Sequence, residues 1–282
     1  LKKKLDTAFI SKIRRYKNAT GNHSWAGWAR YALLTNGPPY FKLEYDSLAT
    51  DVKGIESRFP GLSELVSEFY VRADIPFLWN TYLPAYRSMH EKFKPYANQA
   101  MLDILKYCRL NENHFANSII HVQYSPLMSH FTAQQATVNG ELWIIFGPSE
   151  GEPSPASYYH EALHDVVDPI TEQNQARLTR LEELFRLASE KETSYEIVNE
   201  SFVRTIDIVL SGKLLGLSAE QVFQNMLNEY KLGFILCPAI LESIAEYEKS
   251  DVSFSSFYVN VIENIDIQKE KERWNRHQRA SH

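Results

Sequence analysis

His160-Glu161-Ala162-Leu163-His164 sets two imidazoles four residues apart, with a carboxylate beside the first. On a helix that spacing puts both histidines on one face, near enough for their ring nitrogens to hold one Zn2+. Glu161 then stands next to the metal's open position. There a carboxylate can take a proton from water and pass it to a leaving amine. At this chain's histidine and glutamate frequencies, the H-E-x-x-H pattern arises by chance on the order of a few hundredths of a time per chain. The plain alternative is a surface helix that happens to carry two histidines, so the surroundings must decide.

A catalytic zinc wants three protein ligands and one open position. After His164 come Asp165, Val166, Val167, Asp168 and Pro169, without the H-x-x-G-x-x-H extension, and the next histidine is His277. A carboxylate is therefore expected as the third ligand. Ile197, Val198, Phe202, Val203, Ile206, Val209 and Leu210 recur at helical spacing and predict a core helix. Glu196, Glu200, Arg204 and Asp207 form one polar stripe along it. Buried charges must be paired or bind metal. Glu200 as ligand accounts for the stripe, with Arg204 and Asp207 as the partners that orient ligands. Glu196 and Asp168 are the fallback ligands, and a solvated face of ordinary Glu–Arg pairs is the competing explanation.

The elements that must carry these residues are legible in outline. Ser154-Pro155-Ala156-Ser157 offers N-cap chemistry with proline in the first turn. Pro169 disfavours helical geometry at Asp168, which predicts that the histidine helix ends about one turn past His164. Before it, Glu141-Leu142-Trp143-Ile144-Ile145-Phe146 is β-branched and aromatic between Asn139-Gly140 and Gly147-Pro148, a strand between turn signals. Ser118 to Tyr124 predicts a neighbouring strand.

The H-E-x-x-H motif followed by Asn199-Glu200 on a later helix resembles the gluzincin metallopeptidases, the thermolysin-like superfamily. The resemblance implies a zincin-like fold and Zn2+ held by His160, His164 and Glu200, with Glu161 as general base. Two features differ: the gap from His164 to Glu200 is longer than in thermolysin, and Arg204 stands where that superfamily often has an acidic residue supporting a histidine. A closer similarity is to a bacterial family of H-E-x-x-H proteins known mostly from Bacteroidetes-type genomes. It rests on Tyr124-Ser125-Pro126, Phe146-Gly147-Pro148, the run from His160 to Pro169, and Glu200 to Arg204, and spans roughly residues 115–245. It implies a zinc-dependent, peptidase-like fold and brings no substrate with it. By the same likeness, strand 141–146 is expected to form the sheet edge lining the cleft, to which an extended peptide can add.

Composition bounds the rest. The chain has 282 residues, 44% of them hydrophobic, and so can bury one large core or two lobes. A net charge of −5 argues against a nucleic-acid binder. No apolar run approaches a membrane span. Residue 1 is Leu, so removal of a signal peptide, with a periplasmic or secreted location, is expected over a cytoplasmic one. Cys108 and Cys237 allow at most one disulfide, and Cys108 reads as a buried thiol. Trp25, Trp28 and Tyr31 read as a core stripe, and Tyr40 to Tyr45 as a short strand.

These readings predict a helix-rich α+β fold. Residues 1–147 form an N-terminal lobe, with helices and a small sheet, and residues 148–282 a helical lobe carrying both ligand helices. The expected activity is hydrolysis of peptide or protein substrates by zinc-activated water, with Tyr258 as a possible oxyanion donor. A zinc-dependent amide or ester hydrolase of small molecules, and a non-catalytic binding protein on a zincin scaffold, are the alternatives. Glu161 argues against the last, because a scaffold without chemistry needs no base.

Overall fold

Amphipathic helices make up most of the chain in the computed structural model, which describes residues 5–20, 25–43, 54, 57–111, 114, 120–125, 133–138, 141–147, 154–188 and 193–280. The chain divides into two units: residues 1–94 with 117–152, and residues 95–116 with 153–282. With a three-stranded sheet beside many helices, the class is α+β and helix-rich. None of the described helices is long and apolar enough to cross a membrane.

The first unit contains α1 (Thr7–Thr20), α2 (Trp25–Leu33), α3 (Leu62–Arg72), the beginning of α4 (Ile75–Tyr107), and strands β1 (Ile120–Tyr124), β2 (Ala133–Val138) and β3 (Glu141–Phe146). Tyr31, Leu34, Phe59, Leu62 and Val138 form its buried cluster, with Trp28 and Trp143 packed on it. Trp28 and Tyr31 meet the Phe59 ring at 4.5 and 5.5 Å, as expected of a core stripe; the Trp25 side chain lies outside the described residues. Of the short strand expected at Tyr40 to Tyr45, a single bridge from Thr35 to Leu43 is present, and residues 44 and 45 lie outside the described residues.

The sheet order is β1-β3-β2, with β1 parallel and β2 antiparallel to β3. This corrects the expectation that strand 141–146 forms a sheet edge: β3 is the central strand, bonded on both sides. The physical reason lies in its neighbours. Val138 pairs with Glu141 across the two-residue Asn139-Gly140 connection, the spacing of a tight hairpin, and β1 takes the other side. Leu142, Ile144 and Phe146 alternate into the buried face. Among the described strands, β1 and β2 are the outer ones.

The second unit holds the end of α4, then α5 (Ala156–Gln173), α6 (Gln175–Leu178), a 3-10 turn (Thr179–Leu181), α7 (Glu182–Ala188), α8 (Ser194–Leu215), α9 (Ala219–Lys231), α10 (Cys237–Tyr247), α11 (Phe254–Asn264) and α12 (Ile267–Ala280). This unit takes in residues 95–116 as well as 153–282. Ala100, Ile104 and Cys108 are wholly buried there, and Tyr247 donates to the Tyr107 carbonyl at 2.8 Å. Cys108 and Cys237 are both buried free thiols.

The α5 helix does not stop at Asp168, as Pro169 suggested, but runs on to Gln173 with the proline inside it. An interior proline costs about 3 kcal/mol. Packing outweighs that cost: α5 lies along α8 and buries Tyr158, Tyr159, Ala162, Leu163, Val166 and Val167. At the other end Pro155, not Ser154, is the N-cap and no side chain caps the helix; Ser154 Oγ, one residue earlier, accepts from the Ala156 N–H at 3.3 Å. The α8 helix is capped at both ends, by a Thr193–Glu196 capping box and by Gly216 at φ 65°.

Candidate metal centre

The two histidines of α5 and the glutamate of α8 converge because the helices pack along each other and present these residues at the seam. One ligand atom each from His160, His164 and Glu200 lie within 4.8 Å of one another. His164 Nε2 is 3.4 Å from Glu200 Oε1, and His160 Nε2 is 3.8 Å from Glu200 Oε2. Ligands 2.0–2.2 Å from a tetrahedral metal stand about 3.3–3.6 Å apart. Two imidazole nitrogens and a carboxylate this close together could hold a metal ion.

Each ligand is held differently. His164 Nδ1 lies 2.8 Å from Asp168 Oδ1, one turn further along α5. Glu200 Oε2 accepts from Arg204 Nε at 2.8 Å, and Arg204 Nη1 donates to Glu229 Oε2 at 2.6 Å. The guanidinium also lies 4.1 Å from the centre of the Phe234 ring, which fixes its plane. His160 meets the His164 ring edge-on, centroids 5.1 Å apart.

The electrostatics follow from these contacts. Burial, with the nearby His164 and Arg204 charges, holds His160 down at about 4 against the pull of Glu200. Burial also lowers His164, but Asp168 and Glu200 outweigh it and push the group up to about 10. Burial raises Glu200, and His164, His160 and Arg204 reverse that, bringing it down to about 2. Glu161 is 8% exposed, and burial, opposed by His164 and aided by Glu200, pushes it up to about 7. A carboxyl poised there can serve as base and acid near neutral pH.

Other residues singled out from the sequence fall elsewhere. Glu196 closes the α8 capping box, accepting from the Thr193 N–H at 2.8 Å. Asp168 supports His164 instead of joining the ligand group. Arg204 does bond Glu200, whereas Asp207 accepts from Ser211 Oγ at 3.0 Å and is raised by burial to about 6. Tyr258 corrects the oxyanion-donor expectation. It is fully buried, stacked on Phe202 at 4.3 Å, and its hydroxyl donates to Thr171 Oγ1 at 3.1 Å. A hydroxyl so committed in the core has no access to a developing oxyanion. Of the remaining histidines, His121 bonds Glu141 at 2.7 Å in the first unit, His114 is exposed, and His130 lies outside the described residues.

Thr171, Glu229 and Phe234 complete the site and were not predicted, and Asn199 was read only as the neighbour of Glu200, without a role of its own. The bond from Asn199 to Asp168 could have been anticipated, since Asn199 precedes Glu200 on a helix turn aimed at α5. Glu229 and Phe234 lie about a helix and a turn further along the chain, where no local pattern marks them. Comparison with family models, with curated proteins and with solved structures found no match.

Proposed function

We propose that this chain is a zinc-dependent metallopeptidase of gluzincin type on a zincin-like fold, acting on peptide or protein substrates. The observation that carries the reading is the meeting of His160, His164 and Glu200 at metal-ligand spacing, with the buried, near-neutral Glu161 inside the same motif. Zinc in that site would act as a Lewis acid, lowering the pKa of water towards about 7 and polarising a carbonyl.

The chain's own residues supply the rest. Glu161 Oε takes a proton from the attacking water and returns it to the departing nitrogen. Burial raises its pKa to about 7, so it takes the proton from water more readily than an ordinary carboxylate and still releases it near neutral pH. Arg204, held by Glu229, keeps Glu200 turned towards His164 and balances its charge.

The test is cleavage of a peptide library, read by mass spectrometry, with wild type beside Glu161→Gln. Cleavage by the zinc-loaded wild type, reduced by roughly 10^2–10^4-fold in Glu161→Gln with zinc retained, is expected. Full cleavage by a zinc-loaded Glu161→Gln protein would contradict the mechanism. Zinc without peptide cleavage, but with turnover of small amides or esters, would replace the substrate class.

A further inference from the structure

We propose that Asp168 is the positioning residue for His164, and that the buried chain Asn199–Thr171–Tyr258 behind it fixes the Asp168 carboxylate. The α11 helix thereby tunes metal affinity through a residue that never touches the metal. The inference rests on the metal reading of the site and extends it to residues beyond the ligands.

The donors and acceptors leave one consistent direction for the whole chain of bonds. Thr171 Oγ1 donates to the Val167 carbonyl at 2.9 Å, so its only hydroxyl proton is used within α5. Its oxygen must therefore accept from its other neighbours. These are Tyr258, whose hydroxyl donates at 3.1 Å, and Asn199, whose Nδ2 donates at 3.3 Å. With its amide nitrogen turned that way, Asn199 also donates to Asp168 Oδ1 at 2.9 Å. Asp168 is then acceptor only, and the proton between it and His164 belongs to Nδ1, 2.8 Å away.

The consequence reaches the ligand. An imidazole that keeps its proton on Nδ1 presents Nε2 as the metal-binding nitrogen, and Nε2 is the atom that faces Glu200 at 3.4 Å. The network thus selects both the tautomer and the ring orientation of His164. Arg204, one turn beyond Glu200, cannot do so, because a guanidinium has no acceptor. Thr171 and Tyr258 are wholly buried and Asn199 almost so, which leaves the chain no water to substitute for a lost member.

Zinc affinity of the full chain, measured by chelator competition, tests this in wild type, Asp168→Ala, Asp168→Asn, Tyr258→Phe and the Asp168→Ala/Tyr258→Phe double variant. Asp168→Ala is expected to bind zinc about 10–100-fold more weakly. Tyr258→Phe should show a smaller, few-fold loss that disappears in the Asp168→Ala background, since a broken chain transmits nothing. With Co2+ in place of zinc, the visible absorption bands should shift in Asp168→Ala, a change in ligand geometry that general loss of stability does not produce. Wild-type affinity and unmoved bands in Asp168→Ala would overturn the proposal, as would an equal Tyr258→Phe loss in both backgrounds. Should Asp168→Ala not fold, Asp168→Asn decides: it keeps an acceptor but loses the charge, and wild-type affinity in both it and Tyr258→Phe would overturn the proposal equally. A wild type that takes up no zinc would overturn the metal reading, and this one with it.

Discussion

Two successive turns of α5 carry the same side chain towards the same carboxylate and give it opposite properties. The His160 turn is half-buried with Glu200 at 3.8 Å, and desolvation prevails: the ring is held neutral, down at about 4. The His164 turn is buried, but Asp168 at 2.8 Å and Glu200 at 3.4 Å reverse the burial effect and keep its proton up to about 10. Burial alone drives a proton off an imidazole, whereas burial between two carboxylates retains it. On the proposed reading, the His160 ring would bind metal as it stands, whereas the His164 ring would first lose a proton that also braces the metal-free fold.

Removing either ring tests that contrast most severely. His164→Ala leaves Asp168 and Glu200 facing each other without their shared cation. It should destabilise the metal-free protein by about 2–3 kcal/mol at pH 7, after allowance for their partial exposure. His160→Ala should cost less, about 1 kcal/mol. Urea unfolding of both variants in chelator measures the difference, and equal losses would break the comparison.

The pH dependence separates the two turns further. Histidines of the unfolded chain titrate near 6.5. Since the folded His164 holds its proton up to about 10, its contribution is fully present below 6.5 and is lost as pH rises through 10. For His160, held down to about 4, only the unfolded chain takes the proton below 6.5, so stability falls as pH drops from 6.5 to 4. Relative to wild type, metal-free His164→Gln should therefore lack the alkaline decline and His160→Gln the acid one. Unfolding midpoints across pH 4–10 would show it.

A subtler consequence is the proton count of zinc binding. At pH 7.5 His164 should release about one proton per zinc and His160 none. Calorimetry in buffers of different ionisation enthalpy reads that number, and a count near two would mean that both rings start protonated. The smallest effect is expected at Pro169, which belongs to the helix rather than to either turn. Pro169→Ala should raise the unfolding free energy by about 1 kcal/mol and leave zinc affinity unchanged.

What the sequence disclosed depended on how local each cause was. The i,i+4 spacing of His160 and His164 is intrahelical, so their shared face needed no knowledge of the fold. Glu200 stood out because a charge on a helix of Ile197, Val198, Phe202 and Ile206 must have a partner. Pro169 misled because its local cost was weighed without the packing of α5 on α8, which exceeds it. Strand 141–146 was recognised as a strand, but its central place depends on β1 and β2 bonding to it from both sides, which its own residues do not encode. Tyr258 illustrates the same limit: its hydroxyl is assigned by Thr171, 87 residues away in the chain.

The central claim is that His160, His164 and Glu200 hold one metal ion. Metal content of the purified, zinc-supplied chain, for wild type beside His160→Ala and Glu200→Ala, tests it most directly. The account expects about one zinc per wild-type chain and loss of that zinc in both variants. A wild type without zinc, or a Glu200→Ala protein that keeps a full complement, would contradict it.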